Sequence, residues 1–237
     1  MSGDTRSARA LRQRLESLAG AGVTSLPKAK LAAHLSPPVV APSTPPPIAG
    51  NRGQGLAILR QQVAGCTRCA ELAATRTQTV FGVGAPSARL CFFGEAPGAD
   101  EDASGEPFVG RAGQLLTKII EACTLSREEV YILNVLKCRP PGNRVPEPDE
   151  VGNCRPFFER QFEIIAPEFI CCLGTTAAHA LLQTTEPIGK LRRRWFTYGT
   201  AQVVCTYHPS YLLRNPAAKK DVWEDMKMLM ARMGVTL

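Results

Sequence analysis

The 237-residue chain lacks an apolar run of the roughly 20 residues that would span a bilayer. Its first residues contain no apolar stretch typical of secretory signals, so the expected location is the cytoplasm. The patterns GxxxxGK(S/T) and GxGxxG are absent, which removes the usual support for a nucleotide-binding α/β enzyme. Without a secretory signal, the nine cysteines are not expected to form a disulfide framework, and some are candidates for metal or cluster binding.

Positive charge and proline are concentrated at the N-terminus. Residues 1–55 carry seven Lys or Arg against two acidic residues, and they account for most of the net charge of +7. The segment 36–47, SPPVVAPSTPPP, has six prolines in twelve residues, which favours an extended linker over a helix or a central strand. We therefore predict a basic, Pro-rich, disordered N-terminal extension at 1–55 and a globular domain at 56–237.

Beyond the linker, short apolar runs alternate with helical patterns. Four runs without polar alternation are typical of strands buried on both faces: RLCFFG at 89–94, VYILNV at 130–135, EFICCL at 168–173 and QVVCTY at 202–207. Helical patterns flank or separate them at 56–66, 113–123, 151–165, 175–183 and 218–233. This alternation predicts βαβ units and a three-layer α/β/α sandwich around a roughly four-stranded parallel sheet.

Polar residues directly follow or end three of these predicted strands. Glu95 lies in GEAPG after the first strand, Asn134 ends the second, and His208 begins HPSYLLRNP after the last. Ligands of open parallel α/β sheets bind beyond the carboxyl ends of the strands, so these side chains are expected to meet on one rim. Asn134 offers a donor and an acceptor, which suits the edge of a nucleobase; a hydrogen bond to a neighbouring loop is the ordinary alternative.

The loops around these three residues contain two further candidates. Gly98, with Pro97, makes a tight turn whose backbone amides can face an anionic or carbonyl ligand. A plain turn with a solvated acidic face at 100–102 is the alternative. Phe108 lies between glycines in GEPFVGRAG, just before a helix. Its ring could fill core space, but a ring among glycines in a ligand-facing loop is well placed to stack on a flat base.

Four stretches of the chain together resemble a known family. GEAPGADED, PFVGRAGQLL, YILNVLKCRPPGNR and HPSYLLRN are similar to the motifs of family 4 uracil-DNA glycosylases, the iron–sulfur-containing branch of the uracil-DNA glycosylase superfamily. The resemblance covers roughly residues 56–235 and leaves the N-terminal extension outside. It implies a hydrolase that excises uracil from single- or double-stranded DNA by cleaving the N-glycosidic bond, and so initiates base excision repair.

The resemblance also implies roles for individual residues. The substrate-binding residues would be Ala96, Gly98, Phe108, Asn134 and His208, and the catalytic residues Glu95, Asn134 and His208. A flipped uracil would stack on Phe108 and be read by Asn134 through its N3 and O4 edge. His208 would stabilise charge on the leaving base, and Glu95 charge on the sugar or the position of the water. The fastest uracil glycosylases carry an aspartate for water where this chain has Ala96, so no general base is assigned.

Four of the cysteines have a spacing that suits ligation. Cys66 and Cys69 form a CxxC, and Cys138 and Cys154 lie in or beside the Pro-rich segment 138–156. Four thiolates from two loops can bind either a zinc ion or a 4Fe–4S cluster, and spacing does not distinguish these. The resemblance implies the 4Fe–4S cluster, which would hold the loop 139–153 near DNA. The other five cysteines are expected in the core: Cys91, Cys123, Cys171, Cys172 and Cys205.

Basic side chains border the predicted crevice. Candidates for phosphate contacts are Arg139, Arg144, Arg192, Arg193, Arg194 and Arg214, with Lys190, Lys219 and Lys220 nearby. A solvated surface is the ordinary use of such charges. Leu212 or Leu213 is a candidate wedge for the space that a flipped base leaves. The expected partner is uracil-containing DNA, bound by a monomer without membrane contact, and the N-terminal extension is a candidate contact for a protein partner.

Two other functions fit parts of the pattern. A uracil-DNA cross-linking protein would trap the abasic sugar on a histidine in the loop after the Asn134 strand, but residues 137–150 contain no histidine. A non-catalytic iron–sulfur DNA-binding module, held by a polymerase through the N-terminal extension, would have no need of Glu95, Asn134 and His208 together. Cleavage of a uracil-containing oligonucleotide after alkali treatment distinguishes both from a glycosylase.

Overall fold

A six-stranded sheet organises residues 52–237, the part of the chain that the computed structural model describes. The helices are α1 (Arg52–Ala64), α2 (Ala70–Thr75), α3 (Ala99–Ser104), α4 (Arg111–Ala122), α5 (Pro148–Ile165), α6 (Thr175–Leu182), α7 (Ile188–Leu191), α8 (Pro209–Arg214) and α9 (Lys219–Met233). The strands are β1 (Val83–Gly84), β2 (Leu90–Gly94), β3 (Tyr131–Asn134), β4 (Phe169–Leu173), β5 (Phe196–Tyr198) and β6 (Ala201–Thr206). Short 3-10 turns occupy Pro141–Asn143 and Pro216–Ala218.

The sheet contains the four predicted strands and two more. Its order is β1-β3-β2-β4-β6-β5, and the four central strands run parallel. Both edge strands run antiparallel to their neighbours. They escaped prediction because they are only two or three residues long and half-buried or exposed, so neither makes an apolar run. The predicted parallel sheet is therefore confirmed at the centre, with antiparallel edges added.

Helices cover both faces of the sheet, which confirms the three-layer architecture. Alternate residues of β2 enter two separate cores: Cys91 and Phe93 pack on one face, and Leu90 and Phe92 on the other. The first core includes apolar side chains of α1, α5 and α6, and the second those of α4 and α9. Because both faces are covered, all five residues of β2 are buried, as expected for a strand without polar alternation.

The chain changes direction within the sheet at β2. From β2 it crosses to β3 on one side, and the next central strand, β4, lies on the other side of β2. Such a switch point opens a crevice beyond the carboxyl ends of the strands, since the loops there leave in opposite directions. In register, Gly94 of β2 lies beside Asn134 of β3, and Leu173 of β4 beside Thr206 of β6. The segments that follow these strands therefore share one edge.

The predicted N-terminal extension lies outside the described residues, apart from its last few positions. Helix α1 begins at Arg52, before the boundary predicted near residue 55. Its buried side chains, Leu56, Leu59 and Val63, belong to the core on the α5 side of the sheet. Among the helices of residues 52–237, none has the length and apolar character required to cross a bilayer.

Candidate active site

A cavity of about 340 Å³ opens at the carboxyl ends of the central strands, and we call it the strand-end cavity. Glu95, Asn134 and His208 all line it, so the structure brings together the three residues expected on one rim. Ala96, Gly98 and Phe108, the other residues assigned to substrate binding, line it as well. The site thus combines an aromatic ring, an amide, an imidazole and a carboxylate around a space that suits one planar base.

Asn134 presents a buried amide that the chain itself does not satisfy. The side chain is 2% exposed, and its Oδ1 has no hydrogen-bond partner within residues 52–237. Leaving such an atom unpaired costs about 1–3 kcal/mol, which a ligand in the cavity would recover. The residue beside Asn134 on the neighbouring strand, Gly94, must be glycine, because a Cβ there would overlap both Asn134 Oδ1 and the Phe108 ring. Gly94 therefore leaves the space that the Asn134 amide and the Phe108 ring occupy.

Phe108 belongs to the core and to the cavity at once. It is 6% exposed and packs with the apolar core on the α4 side of the sheet, while its ring lies 5.5 Å from the His208 ring at an interplanar angle of 34°. Its backbone has a φ of 55°, in the left-handed region that a bulky residue rarely occupies. Arg127 holds this loop by donating to the carbonyls of Pro107, at 2.8 Å, and of Phe108, at 3.2 Å. The ring is therefore a fixed surface.

Glu101 fastens the two loops that form the cavity wall, a role that sequence analysis missed. Its Oε2 accepts from Gly98 N at 3.0 Å, and its Oε1 accepts from Val109 N and Gly110 N, each at 2.9 Å. The acidic run 100–102 is thus not simply solvated, since Asp102 is also buried and accepts from Thr77 N. The signal available in the sequence was a carboxylate three residues after Gly98, the spacing of a capping box.

His208 is a neutral imidazole with a defined tautomer. Burial, and to a smaller extent the charge of Arg214, lower its pKa to about 4, although Glu101 opposes the shift. Its Nδ1 lies 3.2 Å from Ser210 N, which can only donate, and 2.8 Å from Ser210 Oγ. Nδ1 is therefore an acceptor, and the ring proton of the neutral form is on Nε2. The local fold follows from HPS, because Pro209 begins α8 and brings Ser210 N within hydrogen-bonding distance of His208 Nδ1.

Glu95 reaches across the sheet to a residue outside the predicted motifs. Its Oε2 accepts a hydrogen bond from the Thr176 hydroxyl, near the start of α6. Both side chains are half-buried. Because α6 follows β4, this contact joins the loop after β2 to the turn after the neighbouring parallel strand.

The four cysteines predicted to ligate a metal group lie in one region, which we call the cysteine region: Cys66, Cys69, Cys138 and Cys154. Cys69 precedes α2, and Cys154 lies within α5 rather than in a loop. The Cys138 thiol is influenced electrostatically by Cys66 and Cys69, and the Cys154 thiol by Cys138 and Cys69. Burial raises the pKa of Cys138 and raises that of Cys154 to about 11, so both hold their protons at neutral pH in the absence of a metal.

Cationic and polar donors surround these sulfurs. Arg76 donates to Cys138 Sγ at 3.1 Å, and Asn153 donates to Cys69 Sγ at 3.4 Å. Lys137 is 1% exposed, with its ammonium 2.8 Å from the Asn134 carbonyl, and burial lowers its pKa to about 7, while Cys154 and Cys138 oppose that shift. Sulfurs that carry negative charge would balance this buried cation.

No group of three or more His, Cys, Asp or Glu side chains in residues 52–237 is arranged to hold a metal ion. The donor set fits a larger group. In a 4Fe–4S cluster each iron takes a single thiolate, so the four cysteines surround the cluster rather than one ion. Four free cysteines with cationic neighbours match that chemistry. The other five cysteines are buried in the core, as predicted.

The arginines predicted to contact DNA lie in different environments. Arg214 is exposed at the cavity, and Arg193 is exposed on the surface. Arg139 donates to Asn143 Oδ1 at 2.7 Å, and Arg194 pairs with Glu186 at 2.9 Å. DNA contact stays a prediction for each of them.

Arg144 and Arg192 are committed to carboxylates of the chain. Arg144 lines the cavity, but its guanidinium bonds both oxygens of Glu150, at 2.7 and 2.9 Å, and Glu71 at 2.7 Å. Arg192 is buried and donates to Asp225 at 2.7 Å, which gives it a structural contact away from the surface.

The two leucines considered as a wedge also differ in environment. Leu212 is 1% exposed, so this core residue cannot insert into DNA, whereas Leu213 is 38% exposed. Of the pair, only Leu213 presents an apolar surface that could enter a duplex.

Comparison with known proteins agrees with this site. Residues 81–227 match the family model of the uracil DNA glycosylase superfamily, and this span includes Glu95, Phe108, Asn134 and His208. A type-4 uracil-DNA glycosylase of Thermotoga maritima is 43% identical over 180 residues, which cover 74% of this chain and 93% of that protein. A type-4 uracil-DNA glycosylase of Archaeoglobus fulgidus is 41% identical over 179 residues, covering 71% and 88%.

A relative from another branch of the superfamily is less similar to this chain. A type-5 uracil-DNA glycosylase of Thermus thermophilus is 32% identical over 139 residues, which cover 52% of this chain and 63% of that protein. Identity and coverage are both higher with the type-4 proteins, in line with the motifs in the sequence. The chain therefore belongs to the uracil DNA glycosylase superfamily, in its type-4 family.

Proposed function

We propose that this protein is a DNA glycosylase that hydrolyses the N-glycosidic bond of uracil in DNA and so begins base excision repair. The observation that carries the proposal is the unsatisfied Oδ1 of Asn134, buried beside Phe108 and His208 in the strand-end cavity. The names of the type-4 relatives described above, uracil-DNA glycosylases, support the same activity for this chain.

Base recognition follows from the cavity walls. A cavity of about 340 Å³ has room for one base turned out of the duplex. The base would stack on the fixed ring of Phe108 while Asn134 pairs with its edge. With Oδ1 accepting from N3–H and Nδ2 donating to O4, Asn134 matches uracil, whereas cytosine presents an acceptor at N3 and a donor at C4.

His208 supplies the leaving-group contact. As the glycosidic bond breaks, the bonding electrons move onto the base, and negative charge develops on its O2 and N1. A neutral imidazole with its proton on Nε2 can donate a hydrogen bond to O2 and stabilise that charge without being titrated itself. The same bond cleavage leaves positive charge on the sugar, which the carboxylate of Glu95 would stabilise. Water then adds to the cationic sugar carbon and loses a proton, which balances the negative charge of the released uracil; Ala96 has no polar group to accept that proton.

A 4Fe–4S cluster held by the cysteine region is the second part of the proposal. Cys66, Cys69, Cys138 and Cys154 would hold it, and the buried ammonium of Lys137 and the guanidinium of Arg76 support a site for a negatively charged group. When bound, the cluster would supply structure: it would join the segment before α2 to the one after β3. No catalytic step is assigned to it.

DNA would approach the open side of the cavity. Exposed cations near the cavity, Arg214 among them, support phosphate contacts there, and Leu213 is placed to fill the gap left by a flipped base. A monomeric state stays a prediction. A protein partner for the N-terminal extension stays a prediction.

The test is strand cleavage at uracil. Purified protein is incubated with single- or double-stranded oligonucleotides containing one uracil, then with alkali, which cuts at abasic sites. We expect cleavage by the wild type and none by an Asn134→Ala, His208→Ala double variant. Cleavage at or below the double variant's level would refute the glycosylase, and an SDS-resistant protein–DNA adduct would favour a cross-linking protein instead.

A further inference from the structure

The turn at the junction of β4 and α6, residues 173–176, packs against both proposed catalytic residues, Glu95 and His208, although none of the sequence motifs includes it. Gly174 donates from its backbone to Thr206 O at 2.8 Å, just before His208. Its φ is 89°, and a Cβ there would come within 2.9 Å of the His208 Cβ. The turn therefore packs directly against the start of the HPS motif.

Two residues later the same turn engages Glu95. The Thr176 hydroxyl donates to Glu95 Oε2, from a position 81 residues away in sequence. Thr176 is the second residue of α6, where the positive end of the helix dipole also favours a carboxylate. Glutamate has three side-chain torsions, so an unanchored Glu95 would sample several rotamers in the cavity. The hydroxyl selects one of them.

The two glutamates that line the cavity differ in how many of their carboxylate oxygens are already engaged in hydrogen bonds. Glu101 uses both oxygens to accept three backbone N–H groups, so it is engaged in holding the loops. Glu95 is held through Oε2 by a single hydroxyl, which leaves Oε1 for the substrate. Since the following residue is Ala96, the orientation of this one carboxylate determines where negative charge faces the sugar.

We propose that Thr176 is a positioning residue that fixes the Glu95 carboxylate toward the sugar side of the bound nucleotide. The inference rests on the proposed glycosylase function and assigns no bond-making step to Thr176. It acts through Glu95, so removing its hydroxyl affects the reaction only when Glu95 is present.

The first test compares three variants by single-turnover cleavage of a uracil-containing oligonucleotide. Thr176→Val removes the hydroxyl at nearly constant volume, Thr176→Ser keeps it, and Thr175→Val is the matched control on the exposed neighbour. We expect Thr176→Val to slow the cleavage rate by roughly 10- to 100-fold, as for a misplaced catalytic group. DNA affinity should change less than about twofold, and Thr176→Ser and Thr175→Val should stay near the wild-type rate. Melting temperatures identify any loss of folded protein.

A double-mutant cycle with Glu95→Gln separates positioning from a general structural effect. We expect Thr176→Val to have no further effect on the rate in the Glu95→Gln background, because the partner through which it acts has been changed. An equal loss in both backgrounds, a wild-type rate for Thr176→Val, or a Thr176→Ser variant as slow as Thr176→Val would overturn the inference. If the wild type itself does not cleave, it is the proposed function that fails, and that result is recognised before any variant is compared.

Discussion

The strand-end cavity and the cysteine region lie at either end of one short segment, since Asn134 ends β3 and Cys138 follows four residues later. The cavity is complete in the chain: Glu101, Arg127 and Ser210 hold its walls through hydrogen bonds from neighbouring loops. The cysteine region differs, because its buried lysine is bonded to a carbonyl rather than a carboxylate, and the proposed cluster would supply the negative charge that balances it. We propose that the first site binds a substrate and that the second holds the 4Fe–4S cluster.

This difference predicts how substitutions in each region affect activity and stability. Changing a group in the cavity removes a contact to the base or sugar but leaves the surrounding hydrogen bonds in place. Changing a cysteine would remove a ligand of the proposed cluster and leave the buried charge of Lys137 without a counter-charge. Variants of the cavity should therefore lose activity with little loss of stability, and variants of the cysteine region should lose stability first.

The largest effect is expected for His208→Ala. Loss of the Nε2–H donor should lower the single-turnover rate roughly 10²- to 10³-fold, the usual consequence of removing one donor to a developing anion. Iron content and melting temperature should stay close to the wild-type values. His179→Ala is the control, because that ring bonds the Glu186 carbonyl outside the cavity. A His208→Ala protein that loses its iron would show that the two regions are not separable.

Cys66→Ala should produce the opposite pattern. The wild type is expected to carry about four iron atoms per chain and to absorb near 400 nm, and the variant to lose most of both and to melt at a lower temperature. The control is Cys123→Ala, which removes a thiol buried in the core on the α4 side and should keep the iron. A colourless wild type that contains zinc would identify a different occupant of the cysteine region.

The Glu101→Gln substitution tests whether the hydrogen bonds that Glu101 accepts from the two loops hold the cavity in shape. Glutamine keeps the size but replaces one carboxylate oxygen, which accepts backbone N–H groups, by a donor. We expect KM for a uracil oligonucleotide to rise about tenfold, because a hydrogen bond to a charged group contributes about 1.5–3 kcal/mol. Glu106→Gln, on the exposed part of the same loop, is the matched control. Unchanged KM would mean that Phe108 is held without Glu101.

The smallest effect is expected for the pH dependence of folding stability that arises from His208. The pKa of His208 is about 4 in the folded chain, and an unfolded histidine titrates near 6.5. Between these values the unfolded chain binds a proton that the folded chain does not, so the free energy of unfolding falls as the pH drops through this window. His208→Asn should lose less stability than the wild type between pH 7 and pH 5 in urea denaturation. Equal losses would contradict the neutral, buried imidazole.

Sequence patterns were sufficient for the elements that position the site. The four central strands are continuous apolar runs because both their faces are covered, and each predicted strand agrees with the structure to within one residue at either end. Glu95, Asn134 and His208 could be placed on one rim because parallel strands end on the same edge. The edge strands β1 and β5 carry no comparable pattern, since they are short and only partly buried.

Charge was the least informative property of the sequence. Arg192, Arg193 and Arg194 are adjacent in the chain, yet the first is buried against Asp225, whereas the other two are exposed and pair with different carboxylates, Asp221 and Glu186. The acidic run 100–102 divides in the same way, because Asp102 is buried while Asp100 is exposed. A run of like charges in the sequence does not show which of its residues pairs with a side chain from another part of the chain.

The sequence by itself determined the sandwich, the rim on which the cavity lies and several of the residues that line it. Each of these depends on local patterns of apolar residues or on motifs a few residues long. Only the tertiary structure decided the contacts of Glu101 across its two loops, the tautomer of His208 and the hydroxyl of Thr176 on Glu95. For Thr176 the physical reason is distance along the chain, since a hydrogen bond between residues 81 positions apart leaves no periodic trace in either segment. The contacts of Glu101 and His208 span only two to nine residues, and they depend on irregular loop conformations that no periodic pattern encodes.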